Sequence, residues 1–129
     1  MVGLVIVSHS SLVAEGVKEM ALQMAGNVNI EVAGGTNDSR IGSDINKILK
    51  AINNVYNDDG VVILFDLGSS LMNVEMARDF LPTYKRRKVL IIDAPLVEGS
   101  ILAAIECSLD KKLDEIKFKI ENMSKNKIN

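Results

Sequence analysis

Short apolar runs alternate with longer amphipathic stretches along this chain, a pattern typical of a fold in which strands and helices take turns. Rows of aliphatic and β-branched residues predict β-strands at 2–7, 28–33, 61–65 and 89–92. Apolar residues that recur every three or four positions predict helices at about 11–25, 43–57, 70–81, 101–109 and 111–122. This order predicts the α/β class, with an open, mostly parallel, doubly wound sheet flanked by helices.

The predicted elements form a single domain. A chain of 129 residues suits one core of ordinary size. Ser10 or Ser11 can cap the first helix, because a serine hydroxyl accepts a hydrogen bond from an N–H group of the first turn. The domain is predicted to span 1–122, and the polar tail at 123–129 is expected to fray.

Composition and charge narrow the classes of partner. Aromatic residues make up 4% of the chain and tryptophan is absent, so the core must be aliphatic. The net charge of −2 provides no basic excess for a nucleic-acid backbone, and a nucleic-acid partner is not expected. The one cationic run, Lys85-Arg86-Arg87-Lys88, is interpreted as a solvated loop before the fourth strand. The alternative is a docking site for an acidic protein partner.

The single cysteine and the length of the apolar runs bear on the compartment. Cys107 cannot form an internal disulfide, which suits a reducing cytosol, and its apolar helical surroundings predict a core position. No apolar run approaches the ~18 residues that cross a bilayer, and 1–7 is too short for a secretory signal. A cytoplasmic protein without membrane contact is expected.

Polar and small residues follow every predicted strand. The first strand ends at Ser8-His9-Ser10, the second at Gly34-Gly35-Thr36, the third at Asp66 and the fourth at Asp93. Because the carboxyl ends of parallel strands meet at one edge of a sheet, these residues are expected to share one rim, where ligands bind in open α/β folds. The sequence therefore predicts a functional site there.

His9 and Asp66 are the candidate catalytic pair at this rim. A neutral imidazole can accept a phosphoryl group on one ring nitrogen if a carboxylate holds the proton on the other. Backbone N–H groups at helix starts, helped by hydroxyls, suit the phosphoryl oxygens. The candidate phosphate-binding residues are Ser10, Gly35, Thr36, Ser69 and Ser70. The alternatives are a structural histidine and a capping aspartate, and the two glycines form a plain turn or let a phosphate approach.

Several other chemistries lack their sequence motifs. The chain has no phosphate-binding loop of the nucleoside-triphosphatase type, and no Gly-x-Gly-x-x-Gly follows the first strand. One histidine and one cysteine make a zinc site implausible, and no metal ligand is assigned. The first strand is not followed by paired acids, which disfavours an aspartate-phosphorylated receiver domain.

Four ordered blocks of the sequence resemble a known family. They are Val2-Gly3-Leu4-Val5-Ile6-Val7-Ser8-His9-Ser10, Gly34-Gly35-Thr36 with Ile41-Gly42-Ser43, Leu64-Phe65-Asp66-Leu67-Gly68-Ser69-Ser70-Leu71-Met72-Asn73, and Ala94-Pro95-Leu96-Val97-Glu98-Gly99. The family is the phosphotransferase subunit DhaM of the dihydroxyacetone kinase that depends on the phosphoenolpyruvate:sugar phosphotransferase system. Its domain is similar to the IIA domain of mannose-type permeases.

The resemblance implies a phosphohistidine relay. His9 would receive the phosphoryl group from the phosphocarrier protein HPr, with Asp66 as its hydrogen-bonded partner. The acceptor would be ADP, held with Mg²⁺ as a cofactor on a separate kinase subunit that phosphorylates dihydroxyacetone, so this chain itself would bind no cofactor. The resemblance also implies a homodimer.

The chain departs from the family pattern in two respects. The family pattern has a glycine near Ser39 and a threonine near Ser43, although Ser43 keeps a hydroxyl. Some relatives carry carrier-like domains after this one, so this chain is expected to obtain phosphate from a free carrier.

Two other functions stay open at this point. The same chemistry could serve a sugar-transporting membrane complex, as it does in mannose-type IIA domains, although the Asp66-Leu67-Gly68 block looks less like that branch. A non-catalytic binding module with a structural histidine is the second alternative.

Overall fold

A computed structural model describes residues 1–36, 38 and 40–123 of the chain. The strands are β1 (Gly3–Ser8), β2 (Ile30–Gly34), β3 (Val61–Phe65) and β4 (Val89–Ile92). The helices are α1 (Ser11–Met24), α2 (Ile45–Val55), α3 (Leu71–Asp79), α4 (Thr83–Arg86), α5 (Leu96–Ser108) and α6 (Leu113–Glu121), and a 3₁₀ turn at Gly68–Ser70 precedes α3. The strands are all parallel in the order β2-β1-β3-β4, which confirms the predicted fold class.

The core lies on both faces of this sheet, as the unbroken aliphatic strands require. Alternate residues of β1 enter different layers. Leu4 and Ile6 pack with the layer formed by α1, α5 and α6. Val5 and Val7 pack with the layer formed by α2 and α3. All six residues of β1 are buried, so its carboxyl end emerges from the centre of the molecule.

The register of the central strands sets where the site forms. Ser8 at the end of β1 pairs with Gly34 at the end of β2, and Val7 pairs with Phe65 at the end of β3. The residues that follow these strands therefore meet at one rim of the sheet.

Two helices begin with hydrogen-bonded caps near this rim. The Ser10 hydroxyl accepts a hydrogen bond from the Val13 N–H at 3.3 Å, as predicted for α1. Asp44 caps α2 and accepts from the N–H groups of Asn46 at 2.8 Å and Lys47 at 3.2 Å. Each capping side chain accepts hydrogen bonds from N–H groups of the first turn that have no partner within the helix.

The interpretation of the cationic run as a loop was wrong for its first half, because Lys85 and Arg86 end the short helix α4. Pro82 precedes this helix, and its carbonyl accepts hydrogen bonds from the N–H groups of both residues. Lys85 is also tied to α2, since its ammonium group donates to Asn53 Oδ1 at 3.1 Å and lies 5.0 Å from the centre of the Tyr56 ring. Proline at a helix start is a common arrangement that the loop interpretation overlooked.

Two cationic side chains cover the outer edge of β4. The carbonyl of Lys88 faces β3, where it accepts from the Val61 N–H, so the next carbonyl points the other way. Arg78 Nε donates to the carbonyl of Val89 at 2.6 Å, and Lys117 Nζ donates to that of Ile91 at 2.6 Å. Covering an edge in this way is a recognised protection against unwanted strand pairing.

Among the described residues, no helix combines the length and the apolar character that crossing a bilayer requires. At the C-terminal end of the described residues, the Met123 N–H donates a hydrogen bond to the carbonyl of Ile120 at 3.3 Å. The rest of the predicted tail, at 124–129, lies outside the described residues.

Candidate functional site: a histidine and an aspartate at the sheet rim

His9 and Asp66 meet at the carboxyl ends of β1 and β3. His9 Nδ1 lies 3.0 Å from Asp66 Oδ1, and the side chain of each residue is 19% exposed. The imidazole is thus neither sealed in the core nor distant from the acid. The pairing follows from the parallel register, because both residues come directly after neighbouring strands.

The Asp66 carboxylate is held at both oxygens. Oδ2 accepts from the His9 backbone N–H at 3.0 Å and from the Ser8 hydroxyl at 2.8 Å. Oδ1 faces the imidazole and accepts from the Leu67 N–H at 2.7 Å. Burial would raise the pKa of Asp66, but hydrogen bonds from His9, Ser8 and Leu67 outweigh it and bring the pKa down to about 2. Asp66 is therefore an anion at every physiological pH.

This anion determines which ring nitrogen can react. An ionised carboxylate only accepts hydrogen bonds, so Nδ1 of His9 must carry a proton toward Asp66. In the neutral imidazole, the lone pair then lies on Nε2. The Ser69 hydroxyl lies 2.9 Å from Nε2 and is placed to donate to that lone pair. The arrangement presents a nucleophilic nitrogen beside an exposed hydroxyl.

Ser70 lies near the other ring nitrogen of His9. Its hydroxyl lies 3.1 Å from His9 Nδ1 and donates to Asp66 Oδ1 at 3.4 Å, and the residue is fully buried. Ser69 and Ser70 belong to the 3₁₀ turn that leads into α3, which brings both hydroxyls over the end of β1. The structure therefore gathers these two sequence-predicted residues around the imidazole.

The other three predicted phosphate-binding residues lie beside the histidine, with polar groups that bond within the surrounding loop and helix. The Gly35 N–H donates to the carbonyl of Ser8 at 3.1 Å, and the residue has a φ of 68°. The Thr36 hydroxyl bonds to Asp38 and accepts from the Arg40 N–H at 3.1 Å. Ser10, as described, caps α1. These residues shape the loop and helix next to the ring.

The loop after β2 is also fixed to the site. The Gly42 N–H donates to the carbonyl of His9 at 2.9 Å, and Lys47 Nζ donates to the carbonyl of Gly34 at 2.7 Å. Ser43, near which the family pattern has a threonine, uses its hydroxyl to accept from Asn73 Nδ2 at 2.7 Å. Ser39, near which the family pattern has a glycine, lies outside the described residues.

Ser8 is a site residue that the sequence interpretation missed. It is fully buried, donates to Asp66 Oδ2 and accepts from the Ser10 N–H at 3.1 Å. A hydroxyl at the end of an otherwise aliphatic strand was the available signal, because a buried polar group needs partners that such a strand cannot supply.

Comparison with known proteins identifies the family. The family model described as the PTS system fructose IIA component matches residues 3–117. The phosphoryl donor subunit DhaM of PEP-dependent dihydroxyacetone kinase 2 from Listeria innocua serovar 6a is 36% identical over 124 residues, covering 95% of this chain and 99% of that subunit. The chain belongs to the DhaM family. The DhaM subunit of kinase 1 from the same organism is 35% identical, with 88% of each chain covered.

Longer DhaM proteins match this chain over part of their length, and solved structures share its fold. The Escherichia coli (strain K12) subunit is 39% identical over 122 residues, although the match spans only 26% of that protein. A crystal structure of a protein described as being of unknown function is 33% identical, with a TM-score of 0.86 over the whole of both chains. A sigma-54 interaction domain protein from Enterococcus faecalis, 17% identical with a TM-score of 0.72, shares the fold.

Four large apolar side chains that are exposed to solvent lie close to the site residues in the sequence. Leu12 is in the first turn of α1, Ile41 precedes the glycine that holds His9, Leu67 follows Asp66, and Met72 lies in the first turn of α3. All are among the exposed large hydrophobic residues, and Leu12 reaches 84%. We call these four residues the apolar rim. Exposed apolar side chains of this size are suited to contact with another protein.

Proposed function

We propose that this chain is a phosphoryl relay protein that takes a phosphoryl group from HPr onto Nε2 of His9. It then passes the group to ADP bound on the partner subunit of dihydroxyacetone kinase. The observation that carries the proposal is the bond between His9 Nδ1 and an ionised Asp66, which leaves Nε2 as the nucleophile. The relatives are phosphoryl donor subunits of PEP-dependent dihydroxyacetone kinases, which supports a phosphoryl-donor role toward such a kinase.

The receiving step follows from the tautomer. Nε2 attacks phosphorus as the bond from phosphorus to the carrier's histidine breaks, and the His9 ring gains positive charge while Nδ1 keeps its proton. Asp66 stabilises that charge because it is already anionic and already bonded to Nδ1. The carboxylate needs no protonation change, so no proton has to leave the site during transfer.

In the donating step, the charge on the His9 ring changes in the opposite direction to the receiving step. A terminal phosphate oxygen of ADP attacks phosphorus, the P–N bond to Nε2 breaks, and His9 returns to the neutral tautomer. This chain supplies the phosphohistidine and its surroundings, and Mg²⁺ and ADP belong to the kinase subunit. A loose transition state places charge on the equatorial phosphoryl oxygens, which therefore need donors.

Ser69 is the hydroxyl best placed to follow the phosphoryl group. It bonds to Nε2 in the unphosphorylated ring. When phosphorus takes that position, the exposed hydroxyl rotates to donate to a phosphoryl oxygen. Ser70 remains with Nδ1 and Asp66. Ser10, Gly35 and Thr36 complete the proposed phosphate-binding set.

Labelling tests the receiving step. The purified chain is incubated with labelled phosphoenolpyruvate, the general enzyme and HPr, and the label is mapped. We expect one acid-labile phosphoryl group on His9, lost completely in His9→Gln with thermal unfolding retained. A charged HPr together with an unlabelled His9 would falsify the relay, and an intact pathway with His9→Gln would instead indicate a binding module.

The acceptor is tested separately with the labelled protein. Label should pass to ADP only when the dihydroxyacetone kinase subunit is present. Passage to a mannose-type permease domain in place of that subunit would assign the chain to sugar transport. We also propose that the chain acts as a homodimer, as its family resemblance implies, and light scattering after gel filtration measures this directly.

A further inference from the structure

The hydroxyl of Ser8 contacts Asp66 at Oδ2, the carboxylate oxygen that does not face the imidazole. Its hydroxyl is fully buried and donates to Asp66 Oδ2 at 2.8 Å. It also accepts from the Ser10 N–H at 3.1 Å, so both of its bonding roles are used. The hydroxyl thus joins the carboxylate to the turn that carries His9.

The two oxygens of the Asp66 carboxylate have different partners. Oδ1 faces His9 Nδ1, while Oδ2 receives the Ser8 hydroxyl and the His9 backbone N–H. Rotation of the carboxylate would have to break the Oδ2 bonds, so these bonds keep Oδ1 directed at the ring. A carboxylate held by several donors is also pre-organised for the positive charge that grows on the imidazole.

We propose that Ser8 is a positioning residue for phosphoryl transfer, acting on His9 only through Asp66. The inference rests on the proposed function, since the relay gives the orientation of Asp66 its purpose. Ser8 itself touches neither the imidazole nor the phosphoryl group. Removal of the Ser8 hydroxyl leaves the part-buried N–H of Ser10 without this acceptor, and it leaves Oδ2 with the His9 backbone N–H as its donor.

The burial of Ser8 provides a contrast within the same protein. Ser100 is equally buried in α5, and its hydroxyl has no hydrogen-bond partner within the described part of the chain. Two serines of equal exposure therefore differ in whether their hydroxyl bonds to the site. Ser100→Ala is the matched control for loss of a buried hydroxyl.

A double-mutant cycle tests this role. Ser8→Ala is expected to slow phosphorylation of His9 by about 10- to 100-fold, the cost of losing a hydrogen bond to a charged group. In the Asp66→Asn background the same change should cost less than about threefold, because interacting residues are not additive. An equal loss in both backgrounds would overturn the proposal. Ser100→Ala should match the parent protein.

Ring-nitrogen NMR supplies a readout that needs no phosphoryl transfer. His9 is the chain's single histidine, so one imidazole is observed. The parent protein should show a protonated Nδ1 and an unprotonated Nε2, and Ser8→Ala should move both shifts toward a mixture of tautomers. Unchanged shifts contradict the proposal even if the rate falls. If the parent chain is never phosphorylated, the proposed function fails while this test of Ser8 still stands.

Two further variants address folding and the hydroxyl itself. Ser8→Cys fills the same space with a weak donor, and it carries the cycle and the NMR measurement if Ser8→Ala does not fold. Ser8→Thr keeps the hydroxyl and suits a strand, so rates within about threefold of the parent are expected. A Ser8→Thr protein that folds with the parent's ring shifts but transfers as slowly as Ser8→Ala would overturn the role of the hydroxyl.

Discussion

At the scale of single residues, the charge of Asp66 decides what His9 can do. The carboxylate is buried enough to be costly as an anion, yet donors on both oxygens keep its pKa at about 2. Nδ1 of the histidine is thereby committed to the acid, and the reactive lone pair stays on Nε2. An aspartate without these donors would have a higher pKa and would compete more strongly for the Nδ1 proton of the ring.

The same pKa predicts how stability depends on acid. The pKa of Asp66 is lower in the folded chain than the ordinary value near 3.8, so the ionised group stabilises the fold by about 2 kcal/mol above roughly pH 4. This contribution is lost as the pH falls from about 4 through 2. Urea unfolding at pH 5 and pH 2 should show the loss in the parent protein and a loss smaller by about 2 kcal/mol in Asp66→Asn.

A surface substitution controls for the change in net charge. Asp79 is exposed at the end of α3, and Asp79→Asn removes one negative charge away from the imidazole. It should leave the difference in unfolding free energy between pH 5 and pH 2 as in the parent. If Asp66→Asn and the parent lost the same unfolding free energy between pH 5 and pH 2, the role assigned to the buried carboxylate would be contradicted.

At the scale of elements, the end of β2 lies so close to α1 that only glycine fits. A Cβ at Gly34 would come within 2.6 Å of Ser11 Cα and 2.9 Å of the Ser10 carbonyl oxygen. These are backbone atoms of the segment that follows His9, and they cannot move without moving the site. The helix start and the strand end are therefore fitted to each other.

Gly34→Ala is expected to lower the free energy of unfolding by about 1–3 kcal/mol through overpacking. Gly16 lies inside α1 with open space around it, and Gly16→Ala should raise that free energy by about 0.5–1 kcal/mol. Denaturant melts of both variants measure the contrast. A Gly34→Ala protein as stable as the parent would show that α1 can shift away from β2.

Many of the strands and helices could be predicted from the sequence because their local apolar patterns agree with the packing that the folded sheet requires. The strands 61–65 and 89–92 agree with β3 and β4 at both ends, since each is an aliphatic run bounded by turn residues. The helix α4 was missed because four residues are too few to show a helical period. The first turn of α5 was missed because Leu96 to Ser100 hold no repeated apolar stripe and contain Gly99.

The candidate site divides in a similar way. The proximity of His9 and Asp66 was predictable, because parallel order alone places both at one rim. The capping role of Ser10 was also predicted, whereas the partners of Thr36 were not, since a hydroxyl near a site can equally bind a ligand or close a loop. Ser8 was missed because its role depends on the direction of a buried hydroxyl, which no spacing rule reveals.

At the scale of the whole molecule, the site lies at the surface, and the four residues of the apolar rim are close to its residues in the sequence. Leu12 and Met72 belong to different helices, α1 and α3, that both begin beside His9. A relay protein must bring its histidine into contact with a second protein, and exposed apolar side chains provide contact area for that purpose.

Truncating the rim should weaken docking without changing the chemistry. The double variant Leu12→Ala with Met72→Ala is expected to raise the HPr concentration that gives half-maximal phosphorylation by about tenfold, with the maximal rate retained. Both positions are exposed and helical, so stability should change by less than about 0.5 kcal/mol. Initial rates against HPr concentration provide the measurement.

The matched control lies on another element. Phe118 is 71% exposed on α6, beside β4 and α5, and Phe118→Ala removes a comparable apolar group there. It should leave the concentration dependence as in the parent. If the rim variant and the α6 variant behave alike, docking does not use the rim.

The covered edge of β4 limits the number of strands that this sheet can have. Arg78 and Lys117 already occupy the carbonyls that an additional strand would need, each through a bond of 2.6 Å. A fifth strand arriving on that side, from any chain, would first have to displace a guanidinium and an ammonium group from two different helices. Growth of the sheet there is therefore opposed by charges that also hold α3 and α6 in place.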